Sequence, residues 1–298
     1  MNLLVTAVSY APKLSLPEVQ RIRSLLAAAG LTLDAETRTG DGRFDVHMAD
    51  LSFAGSQSGA ALADLRRAVA ANGAAGIDTA IVPATLRNAQ RKFLILDVDS
   101  TLIQQEVIEL LAAHAGKREE VAAVTEAAMR GELDFAQSLH ARVAVLAGLP
   151  ADVVDDVRAE VALSPGAAEL VAAFRAAGHV VAVVSGGFNQ ILEPIAEGLG
   201  LDYWIANELE IADGALTGKV LGAVIDRAAK EKYLREWAAI EGIPMEHTIA
   251  VGDGANDLDM LEAAGIGVAF NAKPAVRAVA DAAVNLPYLD AVRFIAGV

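Results

Sequence analysis

One short segment constrains the fold of this chain more than any other. The apolar run Phe93–Leu96 is uninterrupted and leads directly into Asp97-Val98-Asp99-Ser100-Thr101. Such a run is typical of a buried strand in a parallel sheet, and open α/β sheets bind ligands at the carboxyl ends of their strands. The segment therefore predicts two acidic side chains, Asp97 and Asp99, at the ligand-binding edge of a doubly wound sheet.

The spacing of these two carboxylates also indicates chemistry. Buried negative charge is costly unless a partner compensates it, and Mg²⁺ suits carboxylates because it prefers oxygen ligands. One carboxylate can then attack phosphorus while the other transfers protons. An acidic turn with no catalytic role has the same pattern, so this segment alone supports both interpretations equally.

Two further strand-like runs end in polar turns. Residues 180–184 lead into Ser185-Gly186-Gly187, and residues 249–251 lead into Gly252-Asp253-Gly254-Ala255-Asn256-Asp257. Glycine lets the backbone approach a phosphate closely, and neighbouring N–H groups can point at it. The pattern of residues 267–270 predicts another strand. We expect a parallel sheet flanked by helices, with the three polar turns at one edge.

Composition narrows the partners and the compartment. The 298 residues indicate two domains, and the net charge of −15 argues against nucleic acids and anionic membranes as main partners. A phosphate substrate would therefore need a local positive site. The chain has no cysteine, no basic start of a signal peptide and no run long enough to span a membrane. We expect a soluble cytoplasmic protein.

Residues 1–86 show the order β-α-β-β-α-β. Strand patterns cover residues 3–8, 31–35, 44–48 and 77–82, and two helical stripes comprise Val19, Ile22, Leu25 and Leu26, and Leu62, Leu65 and Val69. This order predicts a ferredoxin-like α+β domain and resembles the ACT domains, which often sense amino acids. The segment 11–14 lacks the glycine that many ACT domains carry after the first strand. Ligand sensing and a structural or dimerising role, as in a homodimer, both stay open.

A polar segment, residues 88–92, joins this part to the strand before Asp97. Helical patterns then extend from about residue 104 to 161 with no strand signal between them. We therefore predict an ACT-like domain over 1–86 and an α/β domain over 87–298. The helical insert at about 104–161 would form a cap over the sheet edge.

Over about residues 90 to 298, the chain resembles the haloacid dehalogenase (HAD) superfamily of phosphotransferases, and within it the phosphoserine phosphatases. The resemblance rests on four motifs: Asp97-Val98-Asp99-Ser100-Thr101, Val184-Ser185-Gly186-Gly187-Phe188, Lys230, and Gly252-Asp253-Gly254-Ala255-Asn256-Asp257. A lone lysine is usually a surface residue. Only the family's spacing to the fourth motif selects Lys230 over Lys232.

The resemblance implies a role for each motif residue. Asp97 would be the nucleophile that forms an aspartyl-phosphate, and Asp99 would protonate the leaving serine oxygen and then activate water. Asp97, Asp253 and the backbone carbonyl of Asp99 would bind Mg²⁺. The remaining motif residues would hold the metal's waters (Asp257), bind the non-reacting phosphate oxygens (Ser185, Gly186 and Lys230) and support that site (Asn256).

The cap carries a further candidate. Arg142 lies near the centre of a helical stripe formed by Phe135, Leu139, Val143 and Leu146. A buried arginine needs a partner, so Arg142 either extends to the solvent at the rim or binds a carboxylate in the closed site. The pattern alone does not decide between them.

The resemblance favours the second interpretation. It implies that Arg142 binds the substrate carboxylate, that Glu106 binds its ammonium group, and that Met129 and Phe135 exclude water. His140 departs from the arginine of some relatives, with little expected consequence. The implied function is a Mg²⁺-dependent phosphoserine phosphatase acting on phosphoserine in serine biosynthesis. The alternatives are a phosphatase for another small phosphomonoester and an amino-acid-binding regulator with an idle phosphatase half.

Overall fold

The computed structural model describes residues 3–53, 59–130, 132 and 134–298; the side chain of Met129 lies outside the described part. The chain begins with a ferredoxin-like domain whose elements have the predicted order. They are β1 (Leu3–Ala11), α1 (Leu16–Ala28), β2 (Leu31–Gly40), β3 (Asp45–Phe53), α2 (Gly59–Asn72) and β4 (Asp78–Pro83), followed by a short α3 (Ala84–Arg87). The strands form an antiparallel sheet in the order β2-β3-β1-β4.

Both faces of the central strand β1 are covered from Val5 onwards, whereas the edge strand β2 is exposed beyond Leu31. Side chains alternate between faces along a strand. Val5 and Ala7 of β1 pack with the helices, whereas Val8 and Tyr10 belong to the core of the second domain. The alternating side chains of β1 therefore contribute both to the core of the N-terminal domain and to its interface with the second domain.

The second domain is an α/β sandwich with a helical insert. Its elements are β5 (Phe93–Leu96), α4 (Val107–His114), α5 (Arg118–Met129), α6 (Phe135–Ala144), α7 (Val153–Glu160), α8 (Ala167–Ala176), β6 (Val180–Phe188), α9 (Asn189–Leu199), β7 (Tyr203–Ala212), β8 (Ala215–Leu221), α10 (Arg227–Ile240), β9 (Thr248–Gly252), α11 (Leu258–Ala263), β10 (Ile266–Phe270), α12 (Pro274–Arg277), β11 (Ala282–Val284) and α13 (Ala291–Ala296). The strand order is β11-β10-β9-β5-β6-β7-β8.

The sheet brings the three polar turns together as predicted. β5 lies between β6 and β9, and both pairings are parallel, with Leu96 opposite Val183 on one side and Val251 on the other. Parallel neighbours end at the same edge. The turns after β5 and β9 and the Ser185–Gly187 segment are therefore adjacent in space, although Ser185–Gly187 forms the irregular end of β6 and not the separate turn that the sequence predicts.

Helices α4–α7 form the cap, which confirms the helical pattern of residues 104–161. The chain enters and leaves the cap side by side: Ile103 and Leu163 form an antiparallel bridge, and the Gln104 N–H donates to the Ala162 carbonyl at 2.9 Å. At its far end the cap rests on the β7–β8 hairpin, where the Gly148 N–H donates to the Leu216 carbonyl at 2.9 Å.

Three features differ from the sequence-based expectation. The sequence analysis did not identify the β7–β8 hairpin or β11. The segment 88–92 is also not simply a solvated linker, because Lys92 is only 3% exposed. Its position directly before the buried strand β5 explains this burial. Within the described ranges, no helix combines the length and apolar character needed to cross a membrane.

Candidate active site

The first catalytic candidate sits directly at the end of β5. The Asp97 N–H donates to the Val251 carbonyl at 2.9 Å, which continues the ladder to β9. The chain then makes one wide turn over Val98–Leu102, in which Ser100 takes a left-handed conformation with φ of 58°. In this turn the Ser100 hydroxyl donates to the Glu106 carboxylate at 2.5 Å. The turn thus links Asp97 and Asp99 with Glu106, at the start of α4.

A buried acidic cluster surrounds Asp97. Oxygens of Asp97, Asp253 and Asp257 lie within 4.8 Å of one another. The Lys230 ammonium, which is fully buried, donates to Asp97 and to Asp257 at 2.6 Å each. The second oxygen of Asp257 accepts from the backbone N–H groups of Asp253 and Gly254. Lys230 therefore lies inside the acidic cluster, and Asp257 contacts both Lys230 and the turn after β9.

Burial and mutual repulsion shift the proton affinities of this cluster. Burial, and then the charge of Asp257, raise the pKa of Asp97 to about 7, although Lys230 lowers it. Burial raises the pKa of Asp253, with repulsion from Asp97 and Asp257 adding to the effect. Burial alone would lower the pKa of Lys230, but the carboxylates of Asp257 and Asp97 raise it above its ordinary value. The cluster carries more negative charge than one lysine compensates.

These residues fit a divalent cation. An Asp253 side-chain oxygen, Oδ1, is buried and has no hydrogen-bond partner among the described residues. An unpaired buried carboxylate oxygen is costly, and a hard cation would compensate it with a ligand bond. The donor set, which consists of carboxylate oxygens, suits such an ion. The acidic cluster is therefore a candidate metal site.

The carboxyl-terminal end of β6, at Ser185–Gly187, has no room for side chains at its glycines. A Cβ on Gly186 would lie 2.6 Å from the Phe135 ring, and one on Gly187 would lie 3.0 Å from an Asp99 oxygen. The Gly187 N–H donates to the Ser185 hydroxyl at 2.8 Å. Glycine at both positions lets the backbone pass directly beneath the cap residue Phe135 and beside Asp99.

Arg142 points into the site from the cap. It is 6% exposed, so the rim interpretation is wrong. Its Nε donates to the Ser138 carbonyl at 3.1 Å, and its Nη1 donates to the Thr125 hydroxyl at 3.0 Å. No described residue accepts from Nη2. Burial lowers the pKa of Arg142, while Glu106 and Asp99 oppose that shift.

Several of the predicted residues line one cavity of about 30 Å³, which has room for water but not for a phosphomonoester. Among the residues predicted from sequence, those that line it are Asp97, Asp99, Glu106, Phe135, Arg142, Gly186 and Asn256. Burial, and then repulsion from Glu106 and Asp97, raise the pKa of Asp99 well above its ordinary value. Burial also raises the pKa of Glu106, although the Ser100 hydroxyl opposes this.

The structure does not show the supporting roles that the resemblance implies for Asn256 and Met129. The Asn256 side chain lines the cavity, but its buried Oδ1 has no hydrogen-bond partner among the described residues, so the structure shows no bond from it to Lys230. The expected shielding role of Met129 falls on a side chain outside the described residues. Both roles stay predictions.

Sequence reasoning missed residues that hold the site together. Thr125, on α5, accepts from Arg142 and donates to the Val121 carbonyl. The available signal was a threonine on the buried stripe of α5, four residues after Val121. Ser100 was quoted only as part of a motif, although its hydroxyl contacts Glu106. Asn207, on β7, gave no local signal at all.

Comparison with known proteins agrees with this geometry. A family model for the haloacid dehalogenase-like hydrolases matches residues 94–262, more than half of the chain. The chain belongs to this family. Phosphoserine phosphatase of Streptomyces coelicolor is 59% identical over 242 residues, which cover 81% of this HAD-like hydrolase and 59% of that protein. This HAD-like hydrolase spans 59% of the length of that relative and 54% of the length of another, from Mycobacterium tuberculosis.

Solved structures show the same relationship. The unliganded structure of a probable phosphoserine phosphatase from Vibrio cholerae is 36% identical, with a TM-score of 0.75 over 98% of this HAD-like hydrolase and 87% of that chain. A phospho-aspartyl intermediate analogue of phosphoserine phosphatase is 45% identical, with a TM-score of 0.64 over 66% of this chain and 94% of that one. The similarity to the Vibrio cholerae structure extends over the N-terminal domain. The HAD fold predicted from sequence is confirmed.

Proposed function

We propose that this HAD-like hydrolase is a phosphoserine phosphatase that releases serine and inorganic phosphate. The observation that carries the proposal is the pairing, around one cavity, of Asp97 and Asp99 with Arg142 and Glu106 of the cap. The relatives named as phosphoserine phosphatases support the same assignment.

The cap residues suit the amino-acid half of the substrate. Arg142 keeps Nη2 available for the carboxylate, and a buried arginine forms strong charge-assisted bonds to such a group. Glu106 offers a negative charge for the ammonium group. Together the two side chains match a zwitterion, whereas a phosphomonoester without one would offer neither Arg142 nor Glu106 a partner of opposite charge.

The sheet residues suit the phosphate half. The Ser185 hydroxyl, the Gly186 N–H and Lys230 bind the non-reacting oxygens, supplying the local positive site that the acidic chain otherwise lacks. Positioning and charge stabilisation of this kind are the main requirements of phosphoryl transfer. Asn256, at the same cavity, would support the phosphate.

The reaction has two steps. An oxygen of Asp97 attacks phosphorus, the bond from phosphorus to the serine oxygen breaks, and Asp99 gives that oxygen a proton. Water then attacks the phosphorus of the aspartyl-phosphate, Asp99 takes a proton from the water, and the bond to Asp97 breaks. The raised pKa of Asp99 suits the first step, because it keeps the acid protonated until the serine oxygen leaves.

Asp97, Asp253 and the Asp99 carbonyl would bind Mg²⁺, and Asp257 would hold the water molecules bound to the ion. Bound there, the ion would neutralise charge on the transferring phosphoryl group. Phe135 and Met129 would exclude bulk water from the aspartyl-phosphate. The absence of cysteine fits the cytoplasm as the compartment.

The decisive experiment compares phosphoserine with an aryl phosphate, which lacks the amino-acid group. Arg142→Ala should lower kcat/KM for phosphoserine by an amount equivalent to roughly 1.5–3 kcal/mol, the scale of a charge-assisted hydrogen bond. Aryl phosphate turnover should change far less. Arg130→Ala is the matched control, because Arg130 is an exposed cap arginine paired with Glu126 and Glu132.

Each alternative predicts a different result. Equal losses on both substrates would mean that Arg142 supports structure or phosphate, and a phosphatase of another phosphomonoester would then fit better. No turnover of either substrate by the Mg²⁺-loaded wild-type protein would favour a regulator with an idle phosphatase half.

A further inference from the structure

The side chain of Asn207 joins two segments that are far apart in the chain. Asn207 lies on β7 and is 2% exposed. Its Nδ2 donates to the Gly186 carbonyl at 2.8 Å and to the Gly187 carbonyl at 3.3 Å. Its Oδ1 accepts from the Ile225 N–H at 2.8 Å. Both ends of one amide are therefore used on backbone groups next to the active site.

The first contact orients the phosphate-binding turn. In a trans peptide the carbonyl and the N–H point in opposite directions. Because the Gly186 carbonyl faces Asn207, the N–H of Gly187 faces away from it and donates to the Ser185 hydroxyl. This bond occupies the Ser185 oxygen as an acceptor and leaves its proton free to donate to a phosphate oxygen.

The second contact reaches the helix that carries the lysine. Ile225 precedes Asp226, which caps α10 by accepting from the Ala229 N–H at 2.9 Å. The Lys230 N–H in turn donates to the Asp226 carbonyl at 3.0 Å. One buried amide thus spans the short distance between the Ser185 turn and the start of the Lys230 helix.

We propose that Asn207 is a positioning residue that holds Ser185 and Lys230 at the separation the phosphate group requires. The proposal rests on the function proposed above, since it concerns the same phosphate-binding half. Asn207 acts through the backbone and does not touch the substrate. A side chain without the amide would leave backbone groups unpaired and free the two segments to separate.

Asn189 provides a matched control. Its Oδ1 accepts from the Ala206 N–H at 2.8 Å, and its Nδ2 donates to Glu208 at 3.2 Å. It therefore supports the same strand, β7, with the same chemistry, but among the described residues its side chain forms no hydrogen bond with Ser185–Gly187 or with Ile225.

The test measures inorganic phosphate binding to the Mg²⁺-loaded protein by calorimetry. Asn207→Leu removes both contacts, and Asn207→Asp keeps the acceptor for Ile225 but loses the donor to Gly186. We expect each to raise the phosphate Kd by about tenfold or more. The inhibition constant of serine, measured on aryl phosphate turnover, should stay unchanged because serine binds to the cap half.

The Asn189 variant shows what the loss of structural support for β7 alone would do. Asn189→Leu should lower the melting temperature and leave the phosphate Kd unchanged. An unchanged phosphate Kd in Asn207→Asp, or an equal rise in Asn189→Leu, would overturn the proposal. Phosphate binding does not require phosphoserine turnover, so a wild-type protein inactive on phosphoserine would refute the proposed function while the Kd comparison still decides on Asn207.

Discussion

Buried charge sets the behaviour of individual residues in this site. Lys230 is enclosed with Asp97 and Asp257, and no part of it contacts solvent. Such a group is stable only while its partners remain, because removing one partner leaves an uncompensated buried charge. The chemistry therefore depends on single side chains whose replacement can be tested one at a time.

The two aspartates of the first motif should have separable effects. Asp97→Asn keeps the size of the side chain but removes the nucleophile, so we expect turnover to fall on the order of 10⁴-fold or more. Asp99→Asn removes the proton donor and should cost roughly 10²- to 10⁴-fold. Steady-state turnover with Mg²⁺ measures both, and melting temperatures confirm folding. Near-normal activity in Asp97→Asn would contradict the covalent mechanism.

Thr125 should control specificity through Arg142. Thr125→Val is close to isosteric and removes the hydroxyl that accepts from Nη1. We expect kcat/KM for phosphoserine to fall by about tenfold, since the bond involves a charged group, with little change for an aryl phosphate. Thr125→Ser restores a hydroxyl and should restore most of the activity. Failure of this rescue would show that packing, and not the hydrogen bond, is what matters.

At the scale of secondary-structure elements, the starts of β5 and β6 bury a pair of polar side chains. The start of β6 lies beside the start of β5, which brings His179 against Lys92 at 3.4 Å between their side-chain nitrogens. The His179 ring also packs edge-on to Phe174 at 5.7 Å. This polar pair is buried at the sheet edge that carries the strands' amino ends, opposite the active site.

The pH dependence of stability should reflect this pair. Burial, and then the charge of Lys92, lower the pKa of His179 from 6.5 to about 4. The unfolded chain therefore takes up this proton first, so the stability contributed by neutral His179 is complete above pH 6.5 and is lost as the pH falls towards 4.

His179→Phe should remove that loss. Urea unfolding between pH 7 and 4 should show a smaller decrease in the free energy of unfolding for His179→Phe than for the wild-type protein. His140→Asn, which replaces an exposed histidine of the cap, controls for the loss of a histidine as such. Parallel pH profiles for His179→Phe and the wild-type protein would refute this assignment.

At the scale of the whole molecule, the N-terminal sheet is part of the core of the second domain. Phe44 is 1% exposed and stacks on Tyr288 at 5.6 Å between ring centroids. Arg43 pairs with the buried Asp290 at 2.5 Å, and the Tyr10 hydroxyl donates to the Ala283 carbonyl at 2.6 Å. Apolar packing and buried polar contacts together join the two domains.

Disrupting this interface should destabilise the protein as a whole. Phe44→Ala should lower the free energy of unfolding by about 3 kcal/mol or more, the usual cost of truncating a buried phenylalanine. Leu16→Ala, which changes a side chain that is 74% exposed on the same domain, should have little effect. Denaturant unfolding measures both, and equal effects would argue against a shared core.

Removing the N-terminal domain should separate stability from chemistry. A chain that begins at Asn88 keeps every site residue, so we expect each folded molecule to hydrolyse phosphoserine. It also exposes the surface around Tyr288 and Ala283, which Phe44 and Tyr10 contact in the full chain, so we expect a lower melting temperature and aggregation. A soluble, folded truncated protein without activity would show that the N-terminal domain is needed for catalysis.

Much of this architecture follows from local patterns. The runs before Asp97, Ser185 and Gly252 mark three buried strands because continuous apolar residues are needed where both faces of a sheet are covered. The alternation in residues 1–86 marks two-faced strands, and the four motifs point to phosphoryl chemistry. These features depend on residues close together in the chain, so the sequence by itself determined the fold class and predicted most of the residues that we propose for the site.

The tertiary structure decided which distant residues become partners. Asp97 and Lys230 are 133 positions apart, and only the order of β9, β5 and β6 with α10 brings them together. Packing between elements likewise decides three other contacts. They are the hydrogen bond from Arg142 to Thr125, the hydrogen bonds of Asn207, and the contact of the N-terminal sheet with the second domain. A local pattern records periodicity and turn chemistry, whereas the partner of a buried charge depends on elements that meet only after the chain has folded.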